Sequence, residues 1–310
     1  MRLNDLILFG VVFGSMSWAI FFPTTGEAFQ PLLLPFMMTL LFLSFLGIKF
    51  NALMDTSRAA LSRLGMLAAV KLVILPVALY WAAAIFVPDF ALPVLLLTGI
   101  STGVVAPFMG SLVNADPTTI VRMVIVTSVL VPFTLPPLVK ILAGASLTIP
   151  VSVMMRMLAV VIFLPMFAVW IMRRFAPGFL DKVRARQFPI AMFLFAAVNL
   201  GVFSKYSEFF FGHPGQLVMA VGIAYLLAII YYLTGFILSP KQEVKEQVAA
   251  GVSLAIVNNV LVIVFSSEFF GPLSPTVAAM YMFPYYTLIV PVKLLARRLD
   301  RGTRERKLTG

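Results

Sequence analysis

The chain has 310 residues, of which 61% are hydrophobic and 11% charged, with a formal net charge of +11. That composition excludes an ordinary soluble domain. No cysteine is present, which excludes a disulfide framework, a thiol nucleophile and a thiolate metal site.

Apolar runs of membrane-crossing length recur along the whole chain, with no long polar segment between them. In order they predict ten spans, at 6–22, 31–48, 64–87, 91–113, 121–143, 150–172, 188–204, 216–238, 247–268 and 276–296. The expected fold class is all-α and integral to the membrane. The first run is short and has no small-residue cleavage site, so a retained helix is expected rather than a signal peptide.

Basic residues alternate between connections. Lys49, Arg58 and Arg63 lie between spans two and three, Arg173, Arg174, Lys182, Arg184 and Arg186 between six and seven, and Lys241 and Lys245 between eight and nine. Arg297, Arg298, Arg301, Arg304, Arg306 and Lys307 follow the tenth. The other connections (PTTGEAFQ, VPDFA, GASLT, SKYSEFFFGHPGQ and SSEFFGPLSP) contain only Lys205. This is the positive-inside pattern of a multi-pass protein of the cell inner (plasma) membrane with both termini cytoplasmic. The charge therefore points to a lipid bilayer and not to nucleic acid.

The third span reads LGMLAAVKLVILPVALYWAAAIF and places Lys71 among apolar residues at membrane depth. An ammonium there costs roughly 3 kcal/mol or more, which marks a functional position. Three roles stay open. Lys71 serves as a permanent internal cation, or it titrates because burial disfavours its charge and so couples transport to protons, or it snorkels toward the cytoplasm along its four-carbon stem.

The ten spans divide five and five, and an odd number per half sets the halves in opposite orientations. Residues 131–144 (VPFTLPPLVKILAG) and 283–297 (FPYYTLIVPVKLLAR) share a proline, a nearby threonine, a second proline and then Val-Lys-(Ile/Leu)-Leu-Ala. The segments 1–144 and 150–297 are thus expected to be inverted repeats, with 298–310 a basic cytoplasmic tail. Inverted repeats are the signature of secondary transporters. Lys140 and Lys293 are expected to snorkel to the interface.

The fourth span, within TGISTGVVAPFMGSLVNADP, places Gly103, Ala106, Pro107 and Gly110 at mid-depth, and proline and glycine both weaken a helix there. The ninth, VAAGVSLAIVNNVLVIVF, is interrupted by Asn258 and Asn259. Irregular backbone at that depth survives only when packed in protein or lining a cavity. Broken helices are expected at corresponding places in the two halves. His213, between Gly212 and Pro214 in an outer loop, reads as solvated. Arg156 reads as interfacial, and Asn199, Tyr281, Tyr285 and Tyr286 as cavity-lining or packing residues.

With ten spans, inverted halves and breaks in spans four and nine, the chain resembles the bile acid:sodium symporter family, best over Gly103 to Pro137 and Gln247 to Arg297. The related arsenite exporters share the architecture but depend on a membrane cysteine, which this chain lacks. The resemblance implies a panel of helices beside a core of spans three to five and eight to ten, with sodium held where the broken helices cross. Carried over by residue, the family's Ser-Asn pair falls on Ala106 and Pro107, its ninth-span glutamate on Ser253 and the glutamine after it on Val257. Fifth-span ligands fall near Ile120 and Val124, with Thr127 and Ser128 a turn away. Asn258 matches, and the third-span glutamine falls on Lys71, five residues before Pro76.

The expected sodium ligands are therefore mostly missing, and sodium coupling in the usual way is not expected; a proton remains possible, and no other cofactor is implied. The lysine stands where a cation ligand would be. Crossing-helix carbonyls, Asn258, Ser253 and Thr127 are the groups expected to solvate it, with Ser128 and Asn259 beside them. The implied function is a secondary active transporter for a small organic anion, working by alternating access. A uniporter or proton-coupled carrier is the nearer alternative, an ordinary sodium/organic-anion symporter is another, and a non-transporting membrane sensor or scaffold is the alternative of another class. An intramembrane enzyme is not expected, because no HExxH motif, paired aspartates or serine–histidine set lies in the spans.

Overall fold

The computed structural model describes residues 3–48, 57–144, 150–240 and 242–309. Lys49, Lys241 and most of the GASLT connection lie outside the described residues. Among the described residues the protein is helical, with no strand and one isolated β-bridge.

In chain order the α-helices are α1 (Leu3–Phe21), α2 (Leu33–Leu46), α3 (Arg58–Ala69), α4 (Leu75–Phe86), α5 (Ala91–Thr98), α6 (Ala106–Leu112), α7 (Pro117–Ala143), α8 (Val151–Phe175) and α9 (Pro177–Ala185). They continue with α10 (Gln187–Ser204), α11 (Ser207–Gly212), α12 (Pro214–Ile237), α13 (Val244–Ala255), α14 (Asn259–Phe269), α15 (Leu273–Met280), α16 (Met282–Thr287) and α17 (Ile289–Thr309). A single π-helical stretch, Val70–Ile74, joins α3 to α4 without a gap.

Six helices are long and apolar enough to cross a membrane: Pro23–Leu46, Arg58–Phe86, Pro117–Ala143, Val151–Phe175, Gln187–Ser204 and Pro214–Ile237. The pair Leu273–Thr287 and Ile289–Leu299, bent by 44°, makes a seventh if it is one span. The protein is thus a multi-pass helical protein, and besides this bent pair three of the ten expected spans differ from a single crossing helix. The first retains a short apolar helix, Gly10–Phe21. The fourth and ninth are each split into two helices of 7 to 12 residues.

The chain forms two compact units. One comprises Met1–Ile48, Ile149–Val218 and Val260–Thr276. Within it α10 packs on α1 and α2, and α2 on α8. Buried Asn199 donates its amide to the Val12 carbonyl (3.0 Å) and to Ser15 Oγ (3.1 Å), so it ties α10 to α1.

The other unit comprises Lys49–Thr148, Met219–Asn259 and Val277–Gly310. Its helices start where capping dictates. Ser57 Oγ accepts the Ala60 N–H (3.3 Å) at the head of α3. Asp116 Oδ2 accepts the Thr119 N–H (2.7 Å) at the head of α7, with Pro117 next, where a missing N–H is harmless. Asp116 is therefore a helix cap. Helix α7 runs unbroken through Pro132, Pro136 and Pro137 to Ala143, so the fifth span is not ended by its prolines. Flanking packing supplies what the lost backbone bonds do not. Lys140 and Lys293 are both exposed, as is His213, which stacks on Phe209 at 4.9 Å between centroids.

Candidate functional site

The break in the fourth span covers residues 99–105, and that in the ninth covers 256–258. Each leaves backbone groups with no helical partner, and at apolar depth such groups must be satisfied. Here they satisfy each other. Thr102 and Val257 form an antiparallel bridge, the Gly103 N–H donates to the Ile256 carbonyl (2.7 Å), and the Asn258 N–H donates to the Ser101 carbonyl (2.9 Å).

Gly103 explains why the two backbones can approach so closely: a Cβ at this position would collide with the Val257 and Ile256 carbonyl groups. The other three residues read as helix breakers sit elsewhere. Ala106 begins α6, and Pro107 lies in its first turn, where its lost donor costs nothing. Gly110 is inside α6, where a Cβ would strike the Ile120 side chain of α7. Pro107 and Gly110 thus follow the break and do not create it.

Side chains then lock the crossing. Thr102 donates its N–H to Thr127 Oγ1 (2.9 Å) and its hydroxyl to the Ser253 carbonyl (2.7 Å). Thr127 in turn donates to the Met123 carbonyl (2.6 Å), so its hydroxyl is committed to holding the break. Tyr281 donates to the Ala255 carbonyl (2.9 Å) and Tyr285 to the Val257 carbonyl. These two tyrosines, T-shaped against each other at 5.3 Å, brace the ninth-span break. Tyr231 of α12 does the same for the fourth, donating to the Thr98 carbonyl at 2.9 Å.

Lys71 lies in the π-helical stretch. The stretch has a local cause. Pro76 brings no N–H to the Leu72 carbonyl and its ring presses on the preceding turn, and the Leu75 N–H reaches back five residues to the Val70 carbonyl. Single π-turns of this kind are frequent at functional positions. Lys71 is 0% exposed, which removes the snorkelling role from this conformation. Its Nζ lies 4.3 Å from the centroid of the Tyr231 ring, a cation–π contact, and it has no hydrogen-bond partner among the described residues. Among them, too, no aspartate or glutamate is buried.

The expected solvation of Lys71 by Asn258, Ser253 and Thr127 is therefore not what the geometry shows. Lys71 Nζ has no hydrogen-bond partner among the described residues, and the Thr127 hydroxyl is engaged with Thr102 and Met123. Instead, Ser101, Ser128 and Ser253 each bury a hydroxyl without a partner, and Asn259 buries its whole amide the same way. Ser101 and Ser253 lie on the paired breaks or next to them, Ser128 follows Thr127 in α7, and Asn259 opens α14. Such groups are rare in native interiors and ask for a ligand, water or ion. Among the described residues no three His, Cys, Asp or Glu side chains gather to hold a metal.

Sequence reasoning did not find Thr102, Tyr231 or the bracing role of Tyr281 and Tyr285. Thr102 stands beside Gly103 in the break, which was its one local signal. It also missed the pairing of Arg63 with Glu246, which Ser239 Oγ (3.1 Å) and the Glu246 carbonyl (3.2 Å) complete. Compared with known protein families and with curated proteins, the chain finds no matching family model and no matching protein.

Proposed function

We propose that the protein is a membrane carrier that moves a small organic anion by alternating access, with Lys71 standing in for a coupling cation. The observation that carries this reading is the crossing: two breaks paired backbone to backbone, in the same unit as a fully buried ammonium, with no buried carboxylate among the described residues to match it. Broken helices that meet at mid-depth are the device by which secondary transporters hold substrates and ions. An apolar helical protein has no structural reason to bury a lone ammonium, because it destabilises the fold.

The resemblance to the bile acid:sodium symporter family is supported by how the chain divides. Helices of spans three to five and eight fall in one unit with the first half of span nine and most of span ten, and those of spans one, two, six and seven fall in the other. This reading takes each broken pair as one crossing, which makes ten spans in two inverted halves. An anionic substrate is favoured because Lys71 is the one charged residue that the described part of the protein buries. Sodium coupling is disfavoured because Ala106, Pro107 and Val257 offer no side-chain oxygen where the family has ligands. On this reading the protein is a carrier and not an enzyme.

The test is counterflow in proteoliposomes, with a panel of labelled organic anions, in sodium and in choline buffers. Exchange of an anion at equal rates in both supports the reading. Strict dependence on sodium returns the ordinary symporter. Saturable binding with no exchange of any anion makes the protein a sensor.

A further inference from the structure

Tyr231 and Tyr232 are neighbours on α12 and both are buried, yet the fold uses their hydroxyls differently. Tyr232 buries its hydroxyl with no partner among the described residues. Tyr231 is engaged at both ends. Its hydroxyl donates to the Thr98 carbonyl (2.9 Å), and its ring centroid lies 4.3 Å from Lys71 Nζ. The tyrosines of the ninth-span break differ. Tyr281 and Tyr285 also donate to carbonyls, but their rings pack edge to face on each other.

Both ends of Tyr231 are placed where charge matters. Thr98 is the last residue of α5, so its carbonyl has no helical donor and belongs to the negative end of that helix. Gly99, the first residue of the break, packs toward the turn that follows Lys71: a Cβ there would lie 3.8 Å from that of Pro76. Lys71, Thr98 and Tyr231 all belong to one unit. An ammonium over the ring draws electron density from the phenol and makes its hydroxyl a stronger donor. The low dielectric of a buried site leaves that effect unscreened.

We propose that Tyr231 is the positioning residue through which the charge of Lys71 holds the fourth-span break. With the ammonium over the ring, the bond to Thr98 is strong and the break stays paired with that of the ninth span. When the ammonium leaves the ring, the bond weakens and residues 99–105 are released. The purpose of this link rests on the carrier reading, in which the break must move for access to alternate.

The test is hydrogen exchange of the full chain in detergent, read by mass spectrometry over residues 99–105. Tyr231→Phe keeps the ring and removes the donor, and should speed exchange there at least about tenfold. Lys71→Met keeps the donor and removes the charge, and should speed it about fivefold even as the melting temperature rises. The double variant should exchange no faster than Tyr231→Phe alone, because the charge acts through the hydroxyl. Tyr232→Phe should leave the segment as in wild type. Independent effects that multiply to about fiftyfold make Tyr231 a strut and overturn the proposal. So does a Lys71→Met protein with wild-type exchange at 99–105, and that variant alone decides if Tyr231→Phe does not fold. The readout needs no substrate, so failure here is separate from failure of the carrier reading, which counterflow decides.

Discussion

Replacing Lys71 with methionine separates function from stability. Methionine keeps the unbranched length of the lysine stem and removes the charge, so little repacking is needed. An ammonium at membrane depth costs about 3 kcal/mol. The desolvated contact with the Tyr231 ring, at 4.3 Å, returns about 2 kcal/mol. No hydrogen bond or buried carboxylate adds to that return among the described residues. Lys71→Met should therefore stabilise the protein by about 1 kcal/mol, a rise in melting temperature of about 1–2 °C at about 2.1 cal/mol/K per residue. Anion counterflow should fall at least about tenfold, the equivalent of 1.4 kcal/mol lost from the rate-limiting barrier. Thermal unfolding followed by tryptophan fluorescence, and counterflow on the same preparation, give both readings. A variant that melts lower than wild type and still exchanges its anion would refute the reasoning, because Lys71 would then be a strut.

The crossing yields further expectations. Gly103→Ala places a methyl against the Val257 and Ile256 carbonyls and should lower stability by about 1–3 kcal/mol, the range of overpacking, visible as an earlier melt. Thr127→Val strands the Thr102 N–H and should cost about 1–3 kcal/mol, whereas Ser128→Ala one residue on removes a hydroxyl that has no partner and should be nearly neutral. If the two melt alike, the assignment of Thr127 as the lock is wrong. Tyr285→Phe leaves the Val257 carbonyl without its donor and should cost about 1–3 kcal/mol, with hydrogen exchange at 256–258 accelerated more than elsewhere. Glu246→Gln weakens the pairing with Arg63. Because the glutamate is 37% exposed, the loss should be about 1 kcal/mol or less and should shrink in high salt.

Some of this protein was legible in its sequence because the physics involved is local. The apolar runs at 117–143, 151–175 and 187–204 are long enough to span a bilayer whatever they touch, and they form helices there. The interruptions around Gly103 and Asn258 mark the two breaks because a stretch that cannot continue a helix shows it locally. Lys71 stood out because its charge contradicts its neighbours. Other features depend on partners far along the chain. Pro107 and Gly110 looked like breakers, but only the positions of Ile120 and Val257 reveal that α6 accepts both and that Gly103 is where the backbones touch.

Composition and periodicity determine by themselves that the protein is helical, apolar and interrupted twice, since these follow from transfer free energies and backbone chemistry within a few residues. The tertiary structure alone decided what the interruptions are for. Thr102 and Ser253 meet across 151 residues of chain, and no local pattern encodes which orphan backbone group finds which donor. The same holds for Tyr231, separated from Lys71 by about half of the chain yet lying beneath its ammonium. Packing at apolar depth chose these partners, because every polar group left there must be paired or carry a strain that function has reason to keep.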